Sequence, residues 1–135
     1  MKATWLITAS AVALLIACGT AAAQQAKPTE NKGMKADVLT TIDLGKQGLN
    51  DYNSRQMRMR KITLAPGGVV AYHSHSDRPA MDYIVKGAVV DHRDGVPDRT
   101  YKTGDKITEN TDVNHWVENK GKVPAELIAI DLVKQ

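Results

Sequence analysis

Gly67-Gly68-Val69-Val70-Ala71-Tyr72-His73-Ser74-His75 decides how the rest of the chain is read. A Pro66-Gly67-Gly68 turn signal is followed by an apolar run, and the run ends in two histidines one residue apart. Alternate residues of a β-strand project from the same face. His73 and His75 are therefore expected to leave one surface together, close enough for both imidazoles to reach a single ion. Two imidazoles do not close a metal site. The candidate for a third is His115, within Asp112-Val113-Asn114-His115-Trp116-Val117-Glu118-Asn119.

Strand signals continue on both sides. Residues 38–44 are rich in β-branched side chains, and residues 56–64 alternate as a half-buried strand should. The sequence Ala65-Pro66-Gly67-Gly68 reads as the turn that ends this strand. Residues 80–86, 88–92, 99–102, 115–118 and 126–133 read as further strands. Turn signals at Gly87, Asp94-Gly95, Gly104-Asp105 and Asn119-Lys120-Gly121 separate them. No stretch sustains a helical period. Many short strands between turns predict an all-β, antiparallel fold.

The 135 residues suffice for one ordinary domain, and 42% hydrophobic with 24% charged residues suits a soluble globular one. The net charge of +3 comes from 18 basic and 15 acidic residues scattered along the chain. No basic block with interleaved aromatics is present, which argues against nucleic acid as a partner. Residues 1–23 read as a secretory signal: Lys2 precedes an apolar segment, residues 5–17, interrupted only by Thr8 and Ser10. Leu15-Ile16-Ala17-Cys18 looks like a lipobox that would lipidate Cys18, the chain's one cysteine, whereas Ala21-Ala22-Ala23 looks like an ordinary cleavage site. The position of that lone cysteine favours the lipoprotein reading. Export to the periplasm, with a possible outer-membrane lipid anchor, is the expectation. Either way the mature domain has no disulfide. Residues 24–36 read as a flexible linker and residues 37–135 as the folded domain.

The spacing resembles that of single-domain cupins, which are small antiparallel jelly-roll barrels. Their first motif, G-x5-H-x-H-x4-E-x6-G, falls on Gly67, His73, His75, Ala80 and Gly87, with only the glutamate replaced. Their second, G-x5-P-x-G-x2-H-x3-N, falls on Gly104, Asn110, Asp112, His115 and Asn119, with the proline and inner glycine replaced. Seven of ten landmarks stand at the right distances. The resemblance implies that His73, His75 and His115 converge inside the barrel on one divalent metal. Buried imidazoles need partners, and a single ion would satisfy all three. The alternative is a metal-free pocket that the histidines merely line. Iron is slightly favoured, with zinc, manganese, nickel and copper not distinguished.

Ala80 cannot supply the carboxylate that the motif glutamate would. Alternation sets Asp82 on the same face as Ala80, about 6–7 Å along the strand, where it could support a ligand or act as a general base. Arg78 is a candidate for holding an anionic substrate. Met57, Met59 and Met81 read as barrel lining, Trp116 as packing between sheets or at a subunit contact, and Asn119 as a turn residue. His92 reads as an ordinary surface or sheet-edge histidine. The expected function is a metal-dependent, dioxygenase-like enzyme on a small molecule. The alternatives are a non-catalytic small-molecule or metal-binding protein of the cell envelope, and a zinc hydrolase or isomerase. The resemblance further implies a homodimer.

Overall fold

A computed structural model describes residues 25–135; the expected export signal and Cys18 lie outside the described residues. The chain forms β1 (Lys32–Asp43), β2 (Arg55–Ser74), β3 (Ala80–Lys86), β4 (Ala88–Arg93), β5 (Arg99–Lys102), β6 (Lys106–Glu109), β7 (Asn114–Glu118) and β8 (Ala125–Lys134). Two short 3₁₀ turns, Gly45–Gln47 and Asn50–Tyr52, join β1 to β2. All pairings are antiparallel, in the order β5-β4-β7-β2-β8-β3-β6, with β1 also on β2. The sheet curls into a nearly closed jelly-roll barrel, as the cupin resemblance implies, and its antiparallel strands are those the turn-punctuated pattern predicts.

β2 makes the curl possible. Its 20 residues exceed the usual strand length, and they serve two neighbourhoods in succession. Arg55 to Leu64 pair with β8, while Val69 to Ser74 pair with β7. Between them Pro66-Gly67-Gly68 bends the strand without ending it, so the expected turn is a corner inside one continuous element. Gly67 has φ +70°, which favours glycine, and a Cβ on Gly68 would lie 2.8 Å from the Ala65 carbonyl oxygen. Asn119 fastens the corner. Its buried Nδ2 donates to the carbonyls of Leu64 (3.0 Å), Ala65 (3.2 Å) and Val123 (2.8 Å), and its main chain exchanges bonds with Gly67 and Gly68.

Alternation fills the interior. Ile62 and Leu64 of β2, Ile84 of β3, Val89 of β4, Tyr101 of β5, Ile107 of β6, Val117 of β7 and Leu127 of β8 form the apolar core. In β3, Ala80, Asp82 and Ile84 face inward and Met81, Tyr83 and Val85 outward, as expected. The methionines contradict the expectation of barrel lining. Met81 is 61% and Met57 42% exposed, and Met59 lies in the same outward set of β2. The inward set carries Arg58 and Arg60 instead, because Asp131 of β8 lies opposite Arg58 and binds both guanidinium groups.

Two further expectations change. Of the stretch 24–36, expected as a linker, the described part enters the fold: β1 begins at Lys32, Pro28 accepts a bond from the Tyr72 N–H, and the Asn31 side chain accepts from the Ala71 N–H. Those donors lie on β2 beyond the end of its pairing with β1 at Lys32↔Val69, so the preceding residues are drawn in to satisfy them. His92 is not a surface or sheet-edge residue. It is 7% exposed, stacks on Trp116 at 3.7 Å between ring centroids, and bonds to Glu118 and Asp98. β5 flanks β4 and keeps it off the sheet edge.

Asn119→Ala is expected to lower stability by about 2–3 kcal/mol, because it leaves buried carbonyls at the corner without donors. Urea unfolding of the variant checks this, and a loss below about 0.5 kcal/mol would show that the corner holds without the side chain.

Candidate metal centre

The corner in β2 carries its second half across the barrel, and this brings the histidines together. His73 lies near the end of β2, directly opposite His115 of β7 in the register. His75 sits just past β2, pinned by its N–H to the Val113 carbonyl at 2.9 Å. The three Nε2 atoms are 3.0, 3.0 and 3.1 Å apart. His75 and His115 are buried, and His73 is partly open to the cavity.

The opposite edge of each ring fixes its tautomer. His73 Nδ1 meets the Ala71 carbonyl at 2.7 Å and His75 Nδ1 the Arg78 carbonyl at 2.8 Å. His115 Nδ1 meets the Asp91 carboxylate at 2.7 Å. Carbonyls and carboxylates only accept, so each Nδ1 carries the proton and donates it. Each Nε2 is then a bare lone pair, and no donor lies between the three. Converging lone pairs in a buried site are satisfied by a cation, with the outer ring N–H groups held as they are in metal-ligating histidines. The residues fit one divalent ion: the three histidines could hold it.

The expected site residues distribute as follows. Asp82 faces the same cavity but makes no bond to a histidine, and its Oδ1 is buried without a partner. Arg78 does reach the cavity, and its main-chain carbonyl also orients His75. Its guanidinium is only 3.4 Å from Asp131, a loose contact. Ala80 is buried, and its register partner across the β3–β6 pair is Glu109. Glu109 Oε2 lies 3.2 Å from His75 Nε2, and Oε1 3.3 Å from His115 Nε2. The cavity has a volume of about 280 Å³, and Arg60, Arg78, Asp82 and Glu109 give it its polar wall while Ile62, Leu64 and Leu127 give it an apolar one.

Glu109 and Arg60, which line the cavity, and Asp91, which contacts His115, are residues of this site that the sequence reading missed. Each had a signal. Ile107 and Glu109 alternate with Lys106 and Thr108, Val89 and Asp91 are one period apart in β4, and Arg60 shares a period with Ile62 and Leu64. A glutamate or arginine placed inward by alternation reads as an exception to be discarded unless the strand across the barrel is known.

Burial dominates the electrostatics. It lowers His73 and takes His75 down to about 4, which favours the neutral form of these two imidazoles. Burial pushes Glu109 up to about 8 and Asp82 up to about 7, each further disfavoured by neighbouring carboxylates. Burial alone would also raise Asp91, but the bonds from His115 and Arg93 prevail and hold it below the ordinary carboxylate range. The pH dependence of the metal-stripped domain follows. Carboxyls raised in the folded state stabilise it fully below their unfolded values, and that contribution is lost as pH rises through the folded ones. The depressed histidines act lower, costing stability as pH falls below 6.5 toward about 4. Between pH 6.5 and 8 the carboxyls dominate the slope, and the last of the histidine titration opposes them weakly. In the presence of chelator, stability is expected to fall by on the order of 1–2 kcal/mol over that interval. Denaturant midpoints check this, and Glu109→Gln should flatten the slope.

Comparison with known proteins agrees with this geometry. The family model described as a cupin domain matches residues 60–131, from β2 into β8 and across all three histidines. An oxalate-binding protein from Thermotoga maritima is 29% identical over 99 residues, covering 73% of this chain and 78% of that one. The crystal structure of a predicted oxalate decarboxylase from Thermotoga maritima superposes with TM-score 0.57 at 23% identity, over 81% of this chain and 94% of that chain. A recombinant oxalate oxidase in complex with glycolate superposes with TM-score 0.56 at 18% identity, over 76% of this chain, which spans only 55% of the oxidase. At such identities the solved structures establish a common fold. With the family match covering the barrel strands and the histidine cluster alike, the chain belongs to the cupin family.

Proposed function

We propose that this cupin is a metal-dependent enzyme acting on a small carboxylate-bearing molecule. The observation that carries the reading is the pairing of three converging imidazole lone pairs with a cavity wall of surplus positive charge. Arg58, Arg60 and Arg78 share one carboxylate, Asp131, and the Nε of Arg60 is buried without a partner. With Asp82 ionised and Glu109 either protonated or spent on the ion, one guanidinium charge is left over. A small anion beside the ion would neutralise it, and guanidinium groups match a carboxylate's two oxygens. The names of the relatives, which concern oxalate and glycolate, support the same ligand class.

A bound divalent metal would polarise coordinated oxygens, and iron or manganese would add one-electron chemistry. The chain's own groups do the rest. Ala71, Arg78 and Asp91 hold the imidazole rings, Arg60 and Arg78 orient the anion, and the apolar wall of Ile62, Leu64 and Leu127 limits water. Asp82, raised to about 7, can hold a proton on its unpartnered Oδ1 and exchange it near neutrality. Iron or manganese is the favoured ion because either would supply that one-electron chemistry at a site the three histidines could form. Export to the cell envelope belongs to the same proposal and is supported by the apolar residues 5–17.

The name of the Thermotoga maritima relative favours one second reading, capture of the anion without turnover. Two measurements separate the readings. The purified protein should carry about one iron or manganese, lost in His75→Ala. Oxalate or glycolate should bind the loaded protein, and Arg60→Gln should weaken that binding by about 10- to 100-fold. Oxygen consumption or carbon dioxide release from either acid establishes the enzyme. Stoichiometric binding with no product over hours establishes capture, and a metal-free protein that cannot be reconstituted overturns both.

A further inference from the structure

We infer that Glu109 is a fourth protein ligand, a carboxylate delivered to the three-histidine site from β6 because Ala80 of β3 delivers none. The inference rests on the metal reading above and adds to it a donor outside both cupin motifs' ligand positions. Geometry carries it. The carboxylate straddles two of the three donors, with one oxygen 3.2 Å from His75 Nε2 and the other 3.3 Å from His115 Nε2. Both of those nitrogens present lone pairs, since their Nδ1 protons are given to Arg78 and Asp91. Glu109 is 5% exposed, and among the described residues no lysine or arginine lies within ion-pair distance of it. In its ionised form the group faces two acceptors in a buried site. A cation bound by all four resolves the arrangement.

The register explains how a carboxylate from another strand can take this place. Ala80 and Glu109 are direct partners on adjacent strands, both facing inward. Neighbouring strands lie about 4.7–4.9 Å apart, within the reach of a glutamate side chain. Ala80 fills little of the volume between them, so Glu109 enters from the side. The electrostatic consequence matches the cavity. Three neutral imidazoles leave a divalent ion with its full charge, and one carboxylate leaves a single positive charge facing the arginines. An incoming small anion then meets two sources of positive charge, as the proposed ligand class requires.

Metal binding by the purified protein tests this without any assay of turnover. Manganese and cobalt affinities, and the visible absorption of the cobalt complex, would be measured for the unaltered protein, Glu109→Gln, Glu109→Ala and His75→Ala. Glutamine keeps the shape and can donate to an imidazole, so a role in hydrogen bonding alone would leave Glu109→Gln near the starting affinity. Loss of a group merely behind the ligands costs about 10- to 100-fold, and loss of a donor should cost about 100-fold or more. The expected result is that loss in both Glu109 variants, with a changed cobalt spectrum and an unchanged circular dichroism spectrum. Unaltered affinity and spectrum in both, while His75→Ala binds nothing, would overturn the role of Glu109 and leave the three-histidine site standing. Failure of the unaltered protein to bind more metal than His75→Ala would overturn the site itself, and this inference with it.

Discussion

A single strand belongs to both halves of the barrel, and everything else depends on its bending without breaking. The first half of β2 builds one wall with β1 and β8, and the second half builds the other with β7. A sharp corner in a strand strands main-chain donors and acceptors, and a buried orphan of that kind costs as much as a lost hydrogen bond. Asn119 removes that cost by giving its side-chain amide to Leu64 and Ala65 before the corner and its main-chain groups to Gly67 and Gly68 within it. The residue that ends the second motif therefore holds open the angle at which the first motif presents its histidines.

Along the barrel interior the chemistry is graded. At one level Leu64, Ile84, Val89 and Leu127 exclude water and supply the cohesion of the fold. Beyond them the same inward positions of β2 and β8 carry Arg58, Arg60 and Asp131. Burying three guanidinium groups around one carboxylate is not a route to stability, since desolvation offsets most of the attraction. This half-buried cluster of guanidinium groups borders the histidines, where the proposed anion would meet it.

Much of this was legible from residue spacing. The period of two placed His73 with His75 and put Asp82 on the inner face, and the motif spacing brought in His115, whereas Asn119 read only as a turn residue and its hold on the β2 corner did not show. What failed was the choice of face in β2. Met57 and Met59 look like core and Arg58 and Arg60 like surface, and only the presence of Asp131 on the facing strand reverses that. Glu109 was hidden for a related reason. Its importance lies in pairing with Ala80, 29 positions earlier, and antiparallel pairing between β3 and β6 is a property of the topology. His92 was misjudged because residues stacking against it, Trp116 among them, come from another strand.

Two of the three histidines are oriented by main-chain carbonyls, those of Ala71 and Arg78, and only His115 depends on a side chain, Asp91. A carbonyl survives every substitution that leaves the backbone in place. The side chain at position 78 can therefore change, and with it the charge offered to a ligand, while the ring of His75 keeps its proton and its direction. Tolerance to mutation is consequently uneven around the histidine cluster: the side chain at position 78 is free to drift, whereas fragility is concentrated in one aspartate on β4.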